Sequence, residues 1–296
     1  MQPQASIITA EDAHEQGIEK IAQFLISRRG EIRLVLVGGP SSAGKTTFAK
    51  RLQFHLESNG ATTLAISTDD YFVGDSRNPR DAYGNLDYEH IRAMDLDMLN
   101  ANLVDLLAGR KTLLPRFDFL RHEPSAEKRE AQLPEGAFAI IEGLHSLNPE
   151  LTPLVPKEAK HLILADTLTN PFAACPGAEA GDQRLIRRII RDSKYRGRSA
   201  ADTIRLWASV RAGEERWIQP FTGNAETTFD TTLAYEPSVL KEFATAPLAE
   251  IDDSSPAYPV SRRLLSLLDG FRALDPSPVP PYSILREYIG GSIIQY

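Results

Sequence analysis

Cysteines and long apolar runs are scarce in this 296-residue chain. The single cysteine, Cys175, has no partner for an internal disulfide and cannot build a thiolate zinc site, which favours a reducing compartment. No apolar run approaches the roughly 20 residues of a membrane helix, and the N-terminus lacks the basic and then apolar order of a signal peptide. We therefore expect a soluble, cytoplasmic protein with no membrane partner.

A surplus of basic residues is also missing. The chain has 33 Lys and Arg against 40 Asp and Glu, and this acidic balance argues against a general nucleic-acid binder. No repeat of fixed period and no low-complexity tract is present, which excludes solenoids and propellers. With 42% hydrophobic and 25% charged residues, the composition is that of a globular protein rather than a disordered, collagen-like or coiled-coil one.

Short apolar runs alternate with stretches of helical spacing, which is typical of parallel strands buried beneath helices. This alternation predicts an α/β fold with a mostly parallel sheet flanked by helices. Four strands are predicted, at 32–37, 62–67, 137–141 and 161–165. Two more are predicted at 226–233, where an irregular loop is the alternative, and at 247–251.

The ends of the chain differ from its middle. Amphipathic spacing predicts an opening helix over 12–29 and another helix over 259–272. We expect an N-terminal helix packed on the core (1–31), a main domain (32–251) and a proline-rich C-terminal annex (252–296). The annex is expected to pack on the main domain, with a mobile tail as the alternative.

The most informative stretch fits the pattern G-x-x-x-x-G-K-[ST] between a predicted strand and a predicted helix. Backbone N–H groups of such a loop surround phosphates, and the following helix directs its positive end at the same anion. Lys45 adds charge near the β- and γ-phosphates, and Thr46 offers a hydroxyl to Mg²⁺. A chance glycine-rich turn is the alternative. The predicted phosphate-binding loop consists of Gly39, Pro40, Ser41, Ser42, Ala43, Gly44, Lys45 and Thr46.

Acidic residues after two predicted strands help to discriminate among proteins with such a loop. The N-K-x-D segment with which switch GTPases read guanine is missing, which favours a small-molecule kinase. Asp69 and Asp70 end the second strand, where one of them can orient an acceptor hydroxyl. Glu142 ends the third strand, where an acid can hold Mg²⁺ directly or through water. Solvated turn aspartates and a helix-capping glutamate are the alternatives.

A basic segment follows the fourth predicted strand. Arg184, Arg187, Arg188 and Arg191 have the spacing of one helix face. In an acidic protein with a phosphate-binding loop, this face predicts a basic helical lid, at about 184–200, whose guanidiniums neutralise a transferring phosphoryl group. A solvated surface and a nucleic-acid or membrane site are the alternatives.

Taken together and in order, these segments resemble the uridine kinase and phosphoribulokinase family of P-loop kinases over about residues 32–235, and most closely bacterial uridine-kinase-like nucleoside kinases. The resemblance rests on GGPSSAGKTT, STDDYF, GNLDYEH, LPRFDFLRH, IIEGLH and RLIRRIIRDSKYRGR. Further along, SVRAGEERWIQPF, LAYEPSVLK and SILREYIGGS resemble a subgroup with an extended C-terminus. The resemblance implies a P-loop NTPase fold, ATP and Mg²⁺ as cofactors, and transfer to a nucleoside 5′-hydroxyl in nucleoside salvage.

The resemblance also implies roles for individual residues. Asp69 matches the carboxylate that accepts the proton of the 5′-hydroxyl, and Asp87 matches the acid that binds the ribose hydroxyls. His122 matches a histidine near the base, with an ordinary surface or core histidine as the alternative. Thr47 completes the ATP-binding loop. The arginines implied to contact the phosphates are Arg188, Arg191, Arg196 and Arg198. Arg188 is implied to contact the acceptor as well.

The chain departs from the family around the nucleobase. Where typical uridine and cytidine kinases carry tyrosines, it has Phe72 and Phe117, which stack on a base but cannot hydrogen-bond to it. Such a site discriminates poorly between bases, because the wrong base leaves no buried donor unpaired. We therefore expect a nucleoside kinase of broad base specificity. A kinase of sugar phosphates or other polyols, a non-catalytic ATP-binding regulator, and assembly into a homo-oligomer are alternatives that the sequence leaves open.

Overall fold

A computed structural model of the chain describes residues 3–80, 84, 86–118 and 121–295, with side chains from residue 6 onward. Three residues of the motifs, Asn85, Phe119 and Leu120, lie outside the described residues, whereas every predicted site residue lies inside them. Within the described residues, no helix combines the length and the apolar character needed to cross a bilayer.

Five parallel strands form the central sheet, and four short strands form two small antiparallel pairs. The strands are β1 (Leu34–Gly38), β2 (Thr63–Ser67), β3 (Thr112–Leu114), β4 (Phe117–Asp118), β5 (Glu123–Pro124), β6 (Arg129–Ala131), β7 (Phe138–Glu142), β8 (Lys160–Asp166) and β9 (Thr227–Asp230). In the central sheet their order is β2-β7-β1-β8-β9, while β3 pairs with β6 and β4 with β5. The predicted α/β fold with a mostly parallel sheet is therefore confirmed.

The register of the sheet aligns the carboxyl ends of three strands. Val37 of β1 lies beside Glu142 of β7, which in turn lies beside Ser67 of β2. Loops that follow parallel strands leave the sheet at the same edge, which is where α/β proteins bind their ligands. The sheet thus brings the loop after β1 next to the acidic residues after β2 and at the end of β7.

Helices cover both faces of the sheet. They are α1 (Pro3–Ser27), α2 (Lys45–Ser58), α3 (Leu96–Leu107), α4 (Asp182–Tyr195), α5 (Ala200–Trp217), α6 (Glu236–Ala249), α7 (Tyr258–Asp269) and the short α8 (Arg286–Ile289). Side-chain caps mark the start of two of them: Asp95 accepts a hydrogen bond from the backbone N–H of Met98 at 3.0 Å, and Ser199 accepts one from Asp202 at 3.1 Å.

Most predicted elements are confirmed, with ends shifted by a few residues. The four predicted core strands correspond to β1, β2, β7 and β8, and the segment 226–233 contains the shorter strand β9. The strand predicted at 247–251 is wrong, because residues 247–249 form the last turn of α6. Val239, Ala244 and Leu248 of that helix are buried, so the apolar run belongs to a helical face that begins well before it.

The C-terminal segment packs into the larger of two apolar cores. Val279, Leu285 and Tyr288 are buried in the same cluster as Phe48 of α2. Helix α1 contributes to this cluster as well, through Ile18 among others. The other cluster lies around α3 and the β2 edge of the sheet. The end of the chain therefore reaches the helix that follows the phosphate-binding loop.

Candidate active site

The phosphate-binding loop leaves β1 and enters α2 directly. Gly44 has the left-handed conformation (φ +85°), and a Cβ atom at this position would lie only 2.7 Å from Cγ2 of Ile284. Glycine is therefore required by both the conformation and the space. Lys45 donates a hydrogen bond from Nζ to the carbonyl oxygen of Pro40 at 2.9 Å, so its ammonium folds over the loop. This loop and the N-terminus of α2 suit a bound phosphate group.

Two acidic side chains share one cavity with Thr46. The cavity has a volume of about 920 Å³, and Asp69 and Glu142 are among the residues that line it. Ser67 holds them together: its Oγ donates to Glu142 Oε1 at 3.1 Å and accepts from the backbone N–H of Asp69 at 3.3 Å. Gly143 permits this approach, because a Cβ atom there would collide with Thr68 Oγ1 at 1.8 Å.

Both carboxyl groups have a raised pKa. Burial is the main cause for Asp69, opposed by the positive charge of Lys45 and reinforced by Asp70. Burial and the charge of Asp69 raise the pKa of Glu142 to about 7. A carboxylate whose pKa is raised is a stronger base than an exposed one. The pair therefore has the electrostatic character of an acid-base or metal site.

The donor set around the cavity fits Mg²⁺ that arrives with a nucleotide. Thr46, Asp69 and Glu142 offer only oxygen atoms, which this hard ion prefers. The part of the chain described by the structure has no group of three or more His, Cys, Asp or Glu that could hold a metal ion. This agrees with an ion that takes one or two protein ligands and completes its shell with phosphates and water.

Asp69 and Asp70 both line the cavity, because they lie together in the 3-10 turn Thr68–Tyr71 that follows β2. Asp70 Oδ1 accepts a hydrogen bond from the backbone N–H of Phe117 at 3.4 Å. Asp70 thereby links the catalytic edge of the sheet to the predicted acceptor side.

Aromatic rings cluster at that acceptor side. The ring centroids of Phe72 and Phe117 lie 5.6 Å apart, and the ring of Tyr88 lies 6.5 Å from Phe72. Tyr88 was missed by the sequence prediction although it lies in the motif GNLDYEH. The hydroxyl of Tyr88 donates to Asp75 at 2.6 Å. The exposed ring of His122 lies 6.3 Å from the ring of Tyr88, measured between their centroids. The cluster offers apolar faces on which a flat ring can stack.

Asp87 makes local contacts within its own loop. Its carboxylate accepts from the backbone N–H of Glu89 at 3.2 Å, and its backbone N–H donates to Pro79 at 2.8 Å. Neither Asp87 nor His122 is among the residues that line the 920 Å³ cavity. Of these two predicted acceptor residues, His122 lies beside the aromatic cluster, whereas the contacts of Asp87 stay within its own loop.

All four arginines on one face of α4 contact the phosphate-binding loop. Arg184 donates a hydrogen bond to the carbonyl oxygen of Ser41 at 3.0 Å. Arg188 donates one to the hydroxyl of Ser41 at 2.6 Å. Arg187 donates to the carbonyl oxygen of Ser42 at 3.4 Å, and Arg191 donates to the hydroxyl of Ser42 at 3.1 Å. The helix that carries the predicted lid thus lies against the loop.

The four arginines differ in their remaining partners. Arg184 pairs with Glu214 and Arg187 with Glu236, and all four of these side chains are buried. By contrast, Nε of Arg188 and Nε of Arg191 have no hydrogen-bond partner among the described residues. The first pair fixes the helix in the fold. Nε of Arg188 lies 3.5 Å from Asp192 Oδ2, whereas Arg191 retains a donor for a ligand.

Two further arginines follow this helix. Arg196 lines the cavity, and its charge acts on the carboxyl group of Asp69. Arg198 pairs with Asp192 at 3.6 Å and is not among the residues that line the cavity. Of these two arginines, Arg196 is therefore the one beside Asp69.

Three acidic residues around the loop were missed by the sequence prediction. Glu214 accepts a hydrogen bond from the backbone N–H of Ser41 at 3.1 Å. Burial and the charge of Glu214 raise the pKa of Glu89 to about 7. Glu287 lines the cavity from the C-terminal segment. Each lies in a motif of the family resemblance, namely SVRAGEERWIQPF, GNLDYEH and SILREYIGGS, but spacing alone assigned none of them a role.

Comparisons with known proteins agree with this geometry. The model of the phosphoribulokinase / uridine kinase family matches residues 34–159. A uridine kinase of Deinococcus deserti is 32% identical over 195 residues, which cover 64% of this chain and 84% of the relative. A uridine kinase of Staphylococcus carnosus is 30% identical over 189 residues, 63% of this chain and 81% of the relative. A structure from Silicibacter sp. TM1040, provisionally named a fructose transport system kinase, aligns over 72% of this chain and 98% of its own chain. Its TM-score is 0.52 and its sequence identity is 19%, so this likeness supports the fold alone.

Proposed function

The chain belongs to the phosphoribulokinase and uridine kinase family, and on that premise we propose that it transfers the γ-phosphoryl group of ATP, with Mg²⁺, to the 5′-hydroxyl of a nucleoside. The observation that carries the proposal is the shared cavity of Thr46, Asp69 and Glu142 beside the phosphate-binding loop. A kinase needs a triphosphate site and an acceptor-orienting carboxylate within one space. This cavity offers both.

Asp69 is the proposed general base. In a loose phosphoryl-transfer transition state, the acceptor hydroxyl must be aligned first and loses its proton late. Asp69 suits this role because burial raises its pKa, which makes it a stronger base, and the positive charge of Lys45 opposes part of that rise. Its backbone is held by Ser67, so the carboxylate starts from a fixed position at the end of β2.

Positive charge around the phosphates is the second requirement. Lys45, Arg188 and Arg191 are proposed to stabilise the equatorial oxygens of the transferring group. Arg191 supports this assignment, because its Nε has no hydrogen-bond partner among the described residues. Thr46 and Glu142 would hold Mg²⁺, whose charge offsets that of the phosphates when it is bound. We further propose that Arg196, Arg198 and Thr47 belong to the ATP site, as the family resemblance implies.

The aromatic cluster supports a nucleoside as the acceptor. Phe72 and Phe117 present faces on which a base can stack, at a site that Asp70 connects to the cavity. Asp87 and His122 are the proposed contacts to the ribose and the base. Because neither phenylalanine can hydrogen-bond to the base, several nucleosides should be accepted at comparable rates.

One observation favours a phosphorylated sugar as a second candidate acceptor. Arg116 and Arg129 both lie close enough to Asp70 to lower its pKa, against the raising effect of burial. Two guanidiniums on the acceptor side could receive the phosphate of a sugar phosphate. A non-catalytic regulator is disfavoured, because Asp69 and Glu142 are both present and share the cavity.

The test is acceptor-dependent release of ADP across a panel of ribonucleosides, sugar phosphates and simple polyols. We expect activity with nucleosides, little discrimination among bases, and loss of that activity in Asp69→Asn. A preference for sugar phosphates would support the second candidate. ATP binding without stimulation by any acceptor would contradict both kinase assignments.

A further inference from the structure

The C-terminal segment, residues 283–295, contacts the phosphate-binding loop directly. The hydroxyl of Tyr288 donates to the carbonyl oxygen of Ser42 at 3.0 Å. Ile284 approaches Gly44 so closely that no larger residue fits in the loop. Residues beyond α8 continue along the cavity, where Gly291, Ser292, Ile294 and Gln295 form part of its lining. The segment is therefore a wall of the cavity that holds Asp69.

Glu287 connects this segment to two groups of the nucleotide site. Its Oε2 accepts a hydrogen bond from Thr47 Oγ1 at 2.9 Å, and its Oε1 pairs with Nη1 of Arg191 at 3.2 Å. Only 8% of Glu287 is exposed. A buried carboxylate is costly unless it is paired, and an apolar residue would pack here at a lower cost. The pairing with two residues of the site therefore calls for a functional explanation.

The geometry of Arg191 supplies that explanation. Nη1 is taken by Glu287 and Nη2 by the hydroxyl of Ser42, so the plane of the guanidinium is fixed from two sides. Nε is buried and has no hydrogen-bond partner among the described residues. An arginine oriented in this way meets an anion with little further loss of conformational entropy.

We propose that Glu287 is a positioning residue that makes the C-terminal segment part of the ATP site. It holds Arg191 and Thr47 in the orientation that receives the phosphates of ATP. The inference rests on the proposed function, and it concerns residues outside the part that the family model matches, 34–159. The charge of Glu287 does not repel ATP strongly, because Arg191 compensates it before the nucleotide arrives.

The experiment compares Glu287→Gln with a matched control, Glu11→Gln. Glu11 is also buried, and it accepts hydrogen bonds from Tyr235 and from Ser283 of the same segment at 2.5 Å each, so its partners lie outside the phosphate-binding loop. Binding of Mg·ATP is measured by calorimetry without an acceptor. The KM values for ATP and for the acceptor, and the melting temperatures, are then measured for each protein.

We expect Glu287→Gln to weaken ATP binding and to raise the KM for ATP by about tenfold, the scale of a lost hydrogen bond to a charged group. The KM for the acceptor should stay within about twofold, and Glu11→Gln should bind ATP as the wild type does. A segment that only supports the fold would instead lower the melting temperature of both variants without separating the two KM values.

Unchanged or tighter ATP binding in Glu287→Gln would overturn the proposal, as would an equal loss in Glu11→Gln. The failure of the proposed function gives a different result. In that case no acceptor is phosphorylated by the wild type, whereas calorimetry still reports the tenfold loss of ATP affinity if Glu287 positions Arg191.

Discussion

Ser67 Oγ donates a hydrogen bond to Glu142 Oε1 at 3.1 Å, which joins the carboxyl ends of two neighbouring parallel strands. The same oxygen accepts from the backbone N–H of Asp69. One hydroxyl thus fixes the distance between the proposed base and the proposed metal ligand. Because the charge of Asp69 raises the pKa of Glu142, the two carboxyl groups are close enough to act on one substrate.

Asp69→Asn should lower kcat by at least about 10²-fold, because an amide cannot accept the proton of the acceptor hydroxyl. ATP affinity should change little, since the loop and its arginines are intact. The measurement is steady-state kinetics together with ATP calorimetry. Asp70→Asn is the comparison, because an amide oxygen can still accept from the N–H of Phe117. Turnover of Asp69→Asn close to that of Asp70→Asn would remove Asp69 from its role.

Lys45→Ala should abolish transfer. Its ammonium is held over the loop by the carbonyl oxygen of Pro40, where its charge lies close to the bound phosphates. Lys20→Ala, an exposed lysine on α1, serves as the control and should retain wild-type rates. The readout is ADP release with a saturating acceptor. Full activity of Lys45→Ala would show that the phosphate site lies elsewhere.

The sequence predicts the parts of this site that depend on local patterns. The loop motif, the strand ends at Asp69 and Glu142, and the arginines of α4 each follow from spacing over a few residues. The parallel sheet then brings them to one edge, as its topology requires. The strand predicted at 247–251 failed for the same local reason, since a short apolar run fits a strand and a helical face equally well.

Contacts between distant parts of the chain could not be predicted in this way. Glu287 meets Thr47 across 240 positions, and Glu236 meets Arg187 across 49. Whether a given arginine faces a ligand or a buried glutamate depends on which helices pack against it. A single sequence does not specify that packing, so Arg187 and Arg191 look alike until the fold is known.

Glu236→Gln should destabilise the protein by about 3 kcal/mol, because it leaves the guanidinium of Arg187 uncompensated in the core. Both side chains are fully buried, and Arg187 Nε donates to Glu236 Oε1 at 2.5 Å. The measurement is urea denaturation, with Glu130→Gln as the control. Glu130 pairs with Lys111 on the surface, where solvent screens the pair and leaves it a small contribution to stability. Equal losses in the two variants would contradict the structural role of the buried pair.

The contribution of Glu89 to the stability of the ligand-free protein should fall as the pH rises from about 4.5 to 7. Burial and the charge of Glu214 raise the pKa of Glu89 from 4.5 to about 7. In this window the folded chain keeps a proton that the unfolded chain has lost, so the unfolded state binds fewer protons and the free energy of unfolding decreases with pH. Glu142 has a raised pKa as well, but its contribution is the same in the wild type and in a Glu89 variant.

Glu89→Gln removes the titrating carboxyl group of Glu89, and with it the proton that the folded chain retains in this window. Urea denaturation of the wild type and of Glu89→Gln at pH 5 and pH 8 should therefore show a smaller loss of stability in the variant. Lys45 and Arg188 favour the charged form of Glu89 and reduce the effect, but burial outweighs them. The same loss in both proteins would show that Glu89 titrates near its ordinary pKa.

Phe72→Ala should raise the KM for a nucleoside about tenfold or more and leave the KM for ATP unchanged. Stacking of one base on an aromatic ring contributes on the order of 1–3 kcal/mol, and Phe72 lies in contact with the rings of both Phe117 and Tyr88. Phe54→Ala, which removes an exposed ring on α2, is the control for a general effect of losing a phenylalanine. The readout is the KM of several nucleosides and of one sugar phosphate. Because a sugar phosphate has no base to stack, its KM should not respond, and an equal rise for both acceptors would mean that the ring shapes the pocket rather than binding a base.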